Sequence, residues 1–523
     1  MNPKPTTKTT TTAMTKPDSG KDAIPRDYLW AFFAAFIGMI AHPSSSLYPL
    51  GFIMVVPLLA AIEGKRNRSA FAIGYVFGAF YYMFLMWWSL PFSTPGVVAM
   101  TIVEAFSWAI WALSYVFLRR HTRLPIWAAA AIPWTTMELI RGSTELGVTW
   151  GWIAYTQWNF LPAIQIAEWI GAIGIGFLLV TANGLFWAML AEPKWKGKFI
   201  RLGWLAGFLL LWLGTGALWV PDEDPNPPYS VVLCQGNIDH KRDDDRQREP
   251  MVYDLLSRQA AKYKPDLVVW PESASDANVG EYPHNLERVQ RDVQLLSADL
   301  VTGVDEDFWE GEEWHYYNSA AHFLPDGSLE GVYRKMMLVP FGEYIPLSLR
   351  SIKALEHLIA DASQYDRGHE YKVFTASQGY KFNILVCWES TFGDLARQFV
   401  KDGSQLIVVI TNDGWFGNST APYQHALICP FRAVENRSWV VRAANTGICE
   451  VVDPAGRITA HTEIFRRTIL PARFGIRQTT TLYTLIGDLF GWLVVIAWAL
   501  LIVLTILRDR LPKKWFVFLY KSN

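Results

Sequence analysis

Residues 383–390 read NILVCWES, and the apolar run ends on Cys387 with Glu389 two residues on. Two other apolar runs end in the same way: DLVVWPES delivers Glu272, and GVYRKMMLVPFGEYIPL delivers Lys335 and Glu343. A thiol ionises near pH 8.5, so at neutral pH it needs a base or a cation to act as a nucleophile. A carboxylate takes the proton, and an ammonium holds a developing oxyanion. A glutamate, a lysine and a cysteine at the ends of strands therefore make up a complete acyl-transfer site. Taken singly each residue is ordinary, since a free cysteine is most often a small buried hydrophobe.

The region that must position them runs from about 229 to 480. Short β-rich runs (YSVVLCQGNI, DLVVWPES, LVTGVDED, NILVCWES, LIVVITNDGWF, SWVVRAANTGICEVV) alternate with helical stretches at 247–263 and 284–298. This is the pattern of one globular domain mixing strands and helices. It follows an acidic, proline-rich linker, PDEDPNPP, at 221–228.

The rest of the chain is of another kind. Of 523 residues, 51% are hydrophobic and only 18% are charged, with a formal net charge of −1. There is no basic field for nucleic acid, and the low charge density points to a membrane. After a polar Thr- and Lys-rich tail (1–27), which cannot bury a core, apolar segments fall at 28–41, 48–63, 70–90, 97–118, 125–141, 162–191 and 201–220, and again at 482–507. A cleaved signal peptide competes for the first segment, but the close succession of the others favours a span. Lysine and arginine crowd the tail and the connectors at 63–69, 119–123 and 192–201, whereas 42–46 and 91–96 carry none. Basic residues collect on the cytoplasmic side, so this alternation predicts eight spans, both termini inside and the globular domain outside. The closing RDRLPKKW is basic too, in keeping with a cytoplasmic tail at 508–523.

WPES, RKMMLVPFGEY, CWES and NDGWFG in this succession resemble the nitrilase, or carbon–nitrogen hydrolase, superfamily. With seven spans before this domain and one after it, nearly the whole chain beyond the tail is similar to the bacterial apolipoprotein N-acyltransferases. The resemblance implies a membrane α-helical bundle of eight spans (28–220 and 482–507) carrying an extracytoplasmic α/β domain (221–481) built as a four-layer α-β-β-α sandwich. It implies Glu272 as general base, Lys335 as the oxyanion-stabilising cation and Cys387 as nucleophile, with Glu343 and Glu389 as further functional carboxylates. It also implies a fatty acyl chain passed from a phospholipid, typically phosphatidylethanolamine, through a Cys387 thioester to the N-terminal amine of a diacylglyceryl apolipoprotein at the bacterial inner membrane. One departure is visible: Trp388 stands where better-known relatives carry a tyrosine, so the aromatic body is kept and the hydroxyl lost.

Several aromatic side chains are candidates for substrate contact: Trp388, Phe341 and Tyr344 around Glu343, and Trp415 and Phe416 between glycines. The segment 344–368 mixes Leu and Ile with charges at helical spacing, which suits either a membrane-lying lid or a packed amphipathic helix. His425 stands alone and reads as structural or substrate-facing. The four cysteines are too widely spaced for a CxxC motif, no HExxH helix occurs and no phosphate-cradling loop is found, so neither a metal nor another cofactor is expected. Two other functions share these features. A membrane-tethered amidase would use the same triad with water as acceptor; a transporter or receptor whose outer domain only binds ligand would keep the triad as a vestige, and transport would need intramembrane charges, for which Glu104, Glu138 and Glu168 are the candidates.

Overall fold

The computed structural model describes residues 20–42, 47–90, 94–144, 147–239, 242–275, 277–280, 285–340, 342–344 and 365–508. Five described strands before residue 340 and seven after it assemble into two six-stranded sheets. The first has the order β12-β1-β2-β3-β4-β5 and is made of β1 (Tyr229–Gln235), β2 (Leu267–Val269), β3 (Asp299–Glu310), β4 (Glu313–Phe323), β5 (Leu329–Arg334) and β12 (Thr468–Phe474). The second, β11-β10-β9-β8-β7-β6, is made of β6 (Phe374–Thr375), β7 (Lys381–Val386), β8 (Leu406–Thr411), β9 (Trp439–Ala444), β10 (Glu450–Val452) and β11 (Ile458–His461).

Each sheet has three parallel strands at its heart, β1-β2-β3 and β7-β8-β9, with antiparallel strands on the flanks. The central strands read LIVVIT or NILV because a strand covered on both faces needs apolar residues without alternation, and β8 is buried throughout. One core fills the space between the sheets, with Leu233, Val269, Phe382, Ile384 and Val408 among its members. A second lies where the helices Asp243–Ala260 and Leu286–Leu296 cover the first sheet. Helices Gly393–Lys401 and Cys429–Asn436 cover the second sheet on its other side. The expected four layers are thus present.

Of the described helical stretches, five are long and apolar enough to cross a membrane: Asn67–Ser89, Gly96–His121, Ala167–Leu190, Trp195–Trp219 and Leu489–Leu507. Pro25–Ala41 and Ile126–Gly142 have 17 residues each, about 26 Å of helix at 1.5 Å per residue. The segment 48–63 differs from one continuous helix: it makes a 3-10 turn, Tyr48–Phe52, and a seven-residue helix, Val56–Ile62. Ala167–Leu190 breaks at Gly171, whose φ of 68° suits only a residue without Cβ, and a Cβ there would meet the Tyr483 ring at 2.5 Å. The bundle's acids all have protein partners. Glu104 pairs with Arg141 at 3.3 Å, Glu138 accepts from the Ile153 amide at 2.8 Å, and Glu168 meets Arg437 and Trp219. They knit the helices together and to the domain, and no route for a transported solute is needed to explain them.

Bundle and domain meet through a polar seam. Arg437 also donates to Gln165 at 2.8 Å, Ala172 N donates to Glu435 at 3.0 Å, and Thr149 donates to Thr391 at 2.9 Å. The last bond lies four residues beyond Cys387.

Candidate active site

Strand ends carry the three predicted groups. Glu272 follows β2, Lys335 follows β5 at once, and Cys387 follows β7 at once, so the two sheets deliver their reactive residues to one end of the sandwich. Lys335 Nζ lies 2.8 Å from Glu343 Oε1 and 3.5 Å from Glu272 Oε1. The Asn318 side-chain amide spends its two protons on the same two oxygens, each at 2.9 Å. Glu272 Oε2 accepts from the Asn412 amide at 2.9 Å, and Glu343 Oε2 from the Val339 amide at 2.8 Å. Burial alone would lower the lysine's pKa, but Glu343, Glu272 and Cys387 outweigh it and hold the ammonium above its ordinary range. Lys335 is therefore a permanent, buried cation. At Cys387, burial and then the Glu272 charge push the thiol up, against Lys335. The surroundings thus favour the neutral thiol over the thiolate at Cys387.

Among the free cysteines, Cys234, Cys429 and Cys449 are buried and Cys387 is partly exposed. Its backbone is unusual as well. Cys387 has φ of 55°, and Ser273, directly after Glu272, has φ of 56°. A non-glycine residue in this left-handed region costs about 1–3 kcal/mol and persists only where its surroundings enforce it. Around Glu272 the enforcement is tight: a Cβ on Gly303 of β3 would sit 2.5 Å from Ser273 N and 2.9 Å from Glu272 Cα.

Glu389 locks the turn of Cys387 to the strand end that carries Lys335. Its Oε1 accepts from Tyr333 Oη at 2.8 Å, Met336 N at 2.7 Å and Met337 N at 3.0 Å; its Oε2 accepts from Val386 N at 2.8 Å. Burial pushes this carboxyl up to about 7, against the bonds from Val386 and Met337 and the charge of Lys335. Glu389 thus ties the segment after Lys335 to the turn before Cys387.

Behind Cys387 lies a second buried network. The Cys387 carbonyl accepts from Ser390 Oγ at 2.9 Å and lies 3.1 Å from His425 Nε2. His425 Nδ1 is 2.9 Å from Asp413 Oδ1, whose other oxygen accepts from Arg442 at 2.7 Å. Burial opposes ionisation of Asp413, but Arg442 and His425 hold it below the usual carboxylate range; burial and Arg442 push His425 down. His425 is thus structural, one of the two roles its sequence context allowed.

The aromatic candidates divide. Trp388 stacks on Trp150 of the bundle, ring centroids 5.5 Å apart and planes at 11°, and Trp150 and Trp88 both donate to Gln424. Phe416 packs edge-on against Trp88 at 4.7 Å. These rings form a wall shared by membrane helices and catalytic domain. Trp415 is 48% exposed and lines a cavity of about 610 Å³ with Asn237, Asn412, Asn418, Thr446 and Phe465. Tyr344 is buried, with the Arg367 guanidinium 4.4 Å over its ring. Phe341 and the greater part of the candidate lid, 345–364, lie outside the described residues. No cluster of three or more metal-holding side chains occurs among the described residues.

Sequence reasoning missed Asn318, Asn412 and the Ser390–His425–Asp413–Arg442 array. Asn318 sits mid-strand in YYNSAA, where nothing local distinguishes it. The pairing of Ser319 with Arg334, and the bond from Lys335 N to the Asn318 carbonyl at 2.9 Å, carry β4 beside the site.

Two mixed sheets with a cysteine, a lysine and glutamates at their ends are the framework of a carbon–nitrogen hydrolase, and the model of that family matches residues 231–478. The apolipoprotein N-acyltransferase N-terminal domain matches residues 34–185. The apolipoprotein N-acyltransferase of Geobacter metallireducens is 34% identical over 511 residues, covering 94% of this chain and 97% of the relative. That of Chlorobaculum tepidum is 28% identical, covering 86% and 90%. The chain belongs to the apolipoprotein N-acyltransferase family. Among solved structures, an amidase from Nesterenkonia sp. aligns with a TM-score of 0.35 at 18% identity, covering 48% of this chain and 92% of the amidase.

Proposed function

We propose that this enzyme takes a fatty acyl chain from a membrane phospholipid, phosphatidylethanolamine being the expected donor, and transfers it to the α-amine of the diacylglyceryl-modified N-terminal cysteine of apolipoproteins. Glu272 removes the Cys387 proton as sulfur attacks the ester carbonyl, and Lys335 holds the oxyanion. Collapse breaks the ester C–O bond, and the lysophospholipid leaves with the proton from Glu272. In the second half-reaction the acceptor amine attacks the thioester, Glu272 takes its proton, and the C–S bond breaks to return the thiol. Glu343 keeps Lys335 charged and in place.

One observation carries this reading. Cys387, a partly exposed residue, sits at the joint between domain and bundle, with its neighbour Trp388 stacked on the bundle's Trp150. A reaction at that joint spares lipid chains a full transfer into water, which costs roughly 0.8 kcal/mol per methylene. The alternation of basic and uncharged connectors supports eight crossings, with the 48–63 segment traversing in two pieces. It further supports cytoplasmic tails at 1–27 and 508–523, a bundle at 28–220 and 482–507, and a domain at 221–481 on the periplasmic face of a bacterial inner membrane.

The test uses the purified full chain in nanodiscs with acyl-labelled phosphatidylethanolamine and a synthetic diacylated lipopeptide. Label should appear on the lipopeptide amine, and blocking that amine should stop it. Free labelled fatty acid as the sole product, or turnover of small amides instead, would replace the transferase with a hydrolase.

A further inference from the structure

Ser390, His425 and Asp413 stand in the order of a hydrolytic triad: Ser390 Oγ is 3.0 Å from His425 Nε2, and His425 Nδ1 is 2.9 Å from Asp413 Oδ1. No substrate reaches them, because Ser390 and Asp413 are 0% exposed and His425 1%. The oxygen they do reach is the carbonyl of Cys387, 2.9 Å from Ser390 Oγ and 3.1 Å from Nε2. We propose that His425 is a positioning residue for the nucleophile: with Ser390 it clamps the Cys387 carbonyl and so fixes the left-handed backbone that aims the sulfur at Lys335 and Glu272. The proposal rests on Cys387 being the acylated residue.

The physical need for a clamp is specific. Cys387 has φ of 55°, where an L-residue other than glycine is strained, and the carbonyl that follows that torsion swings if the residue relaxes to negative φ. Glu389 holds the amide side of the turn through Val386 N; nothing it binds restrains the Cys387 carbonyl. The Ser390–His425 pair does. The ring is itself braced, with Asp413 at Nδ1, Arg442 Nη2 2.7 Å from Asp413 Oδ2, Thr411 Oγ1 3.1 Å from Asp413 Oδ1, and the Trp150 ring packed at 5.6 Å. A neutral imidazole has one proton for two acceptors. With it on Nε2 the ring donates to the carbonyl beside the Ser390 hydroxyl, and the two donors together hold that oxygen.

Glutamine and asparagine separate the two ends of the ring, because a glutamine amide reaches the Nε2 position and an asparagine amide only the Nδ1 position. In the full chain in nanodiscs, the rate of acyl-enzyme formation from a fluorescent phospholipid is measured for the wild type, His425→Gln, His425→Asn and Ser390→Ala, together with thermal melting. A displacement of about 1 Å costs roughly 100-fold in rate. His425→Asn should therefore acylate about 100-fold more slowly at an unchanged KM for phospholipid, and His425→Gln should stay within about tenfold of the wild type. Ser390→Ala, which leaves the histidine in place, should fall between them. If His425→Gln and His425→Asn acylate alike, whether both fast or both lost, or if Ser390→Ala matches the wild type, the clamp is overturned. A wild type that forms no acyl-enzyme would instead fault the acyltransfer reading; iodoacetamide alkylation of Cys387 in the same variants, with the same ranking expected, then decides the clamp separately.

Discussion

Replacing Glu389 by glutamine keeps the side chain's shape and removes one of its two acceptors. In the wild type all four neighbours donate: Tyr333 Oη, Met336 N and Met337 N to Oε1, and Val386 N to Oε2. A glutamine oxygen can take the three-donor side, but its NH2 then faces the Val386 amide across 2.8 Å, donor against donor. A buried donor left without an acceptor costs about 1–3 kcal/mol. If that cost is relieved by shifting the turn that holds Cys387, acylation slows between about 5-fold and 150-fold, at 1.4 kcal/mol per decade. The same logic fixes the pH dependence. The Glu389 pKa, raised by burial to about 7, means that a protonated carboxyl, like glutamine, turns a donor toward Val386 below neutrality. The wild-type acylation rate should thus decline as pH falls through about 7, and the variant should lack this contribution and run low throughout. Stopped-flow acylation with a fluorescent phospholipid from pH 5.5 to 9 measures both. Full wild-type rates in Glu389→Gln at pH 8 would refute the locking role.

Gly303→Ala should slow acylation by roughly 100-fold at near-native melting temperature, because the new Cβ has no room against Ser273 N and Glu272 Cα and must move the base; the acylation assay with circular dichroism melting checks it. The Trp150–Trp388 stack should show a coupling of about 0.5–1.5 kcal/mol in a double-mutant cycle of Trp150→Ala and Trp388→Ala, read from the same rates. Burial raises Glu389, Glu435 and Glu450 from 4.5 to about 7 each, so between those values the folded chain binds more protons than the unfolded one. Stability must then fall as pH rises across that window, by up to about 3 kcal/mol per group. Melting at pH 5.5 should therefore exceed melting at pH 8, opposite to the trend in activity, and a flat or inverted melting profile would contradict the burial of these carboxyls.

The reactive strands were legible because chemistry and pattern coincide in them: NILVC and DLVVWPE are apolar runs that end on ionisable groups, and the strands end where the runs do. The helical segments were legible from apolar length, but the break in 48–63 was not, since Pro49, Gly51 and Pro57 permit a 3-10 turn without dictating one. For residues that serve the site from a distance, local sequence did not show what they serve. Asn318 matters because β4 lies beside the lysine's strand, and His425 because a helix 38 residues after Cys387 folds back under its carbonyl. Trp415 and Phe416 looked equivalent in NDGWFG, yet one faces a cavity and the other the bundle; the backbone of a turn, rather than composition, sorted them.

The most direct measurement is peptide-resolved mass spectrometry of the full chain after incubation with phosphatidylethanolamine bearing one labelled acyl chain, with and without a diacylated lipopeptide. A labelled long-chain acyl mass on the peptide containing Cys387, absent in Cys387→Ala and discharged when lipopeptide is added, is the predicted result. Acyl label on another residue, or transfer that persists in Cys387→Ala, would contradict the assignment of the nucleophile.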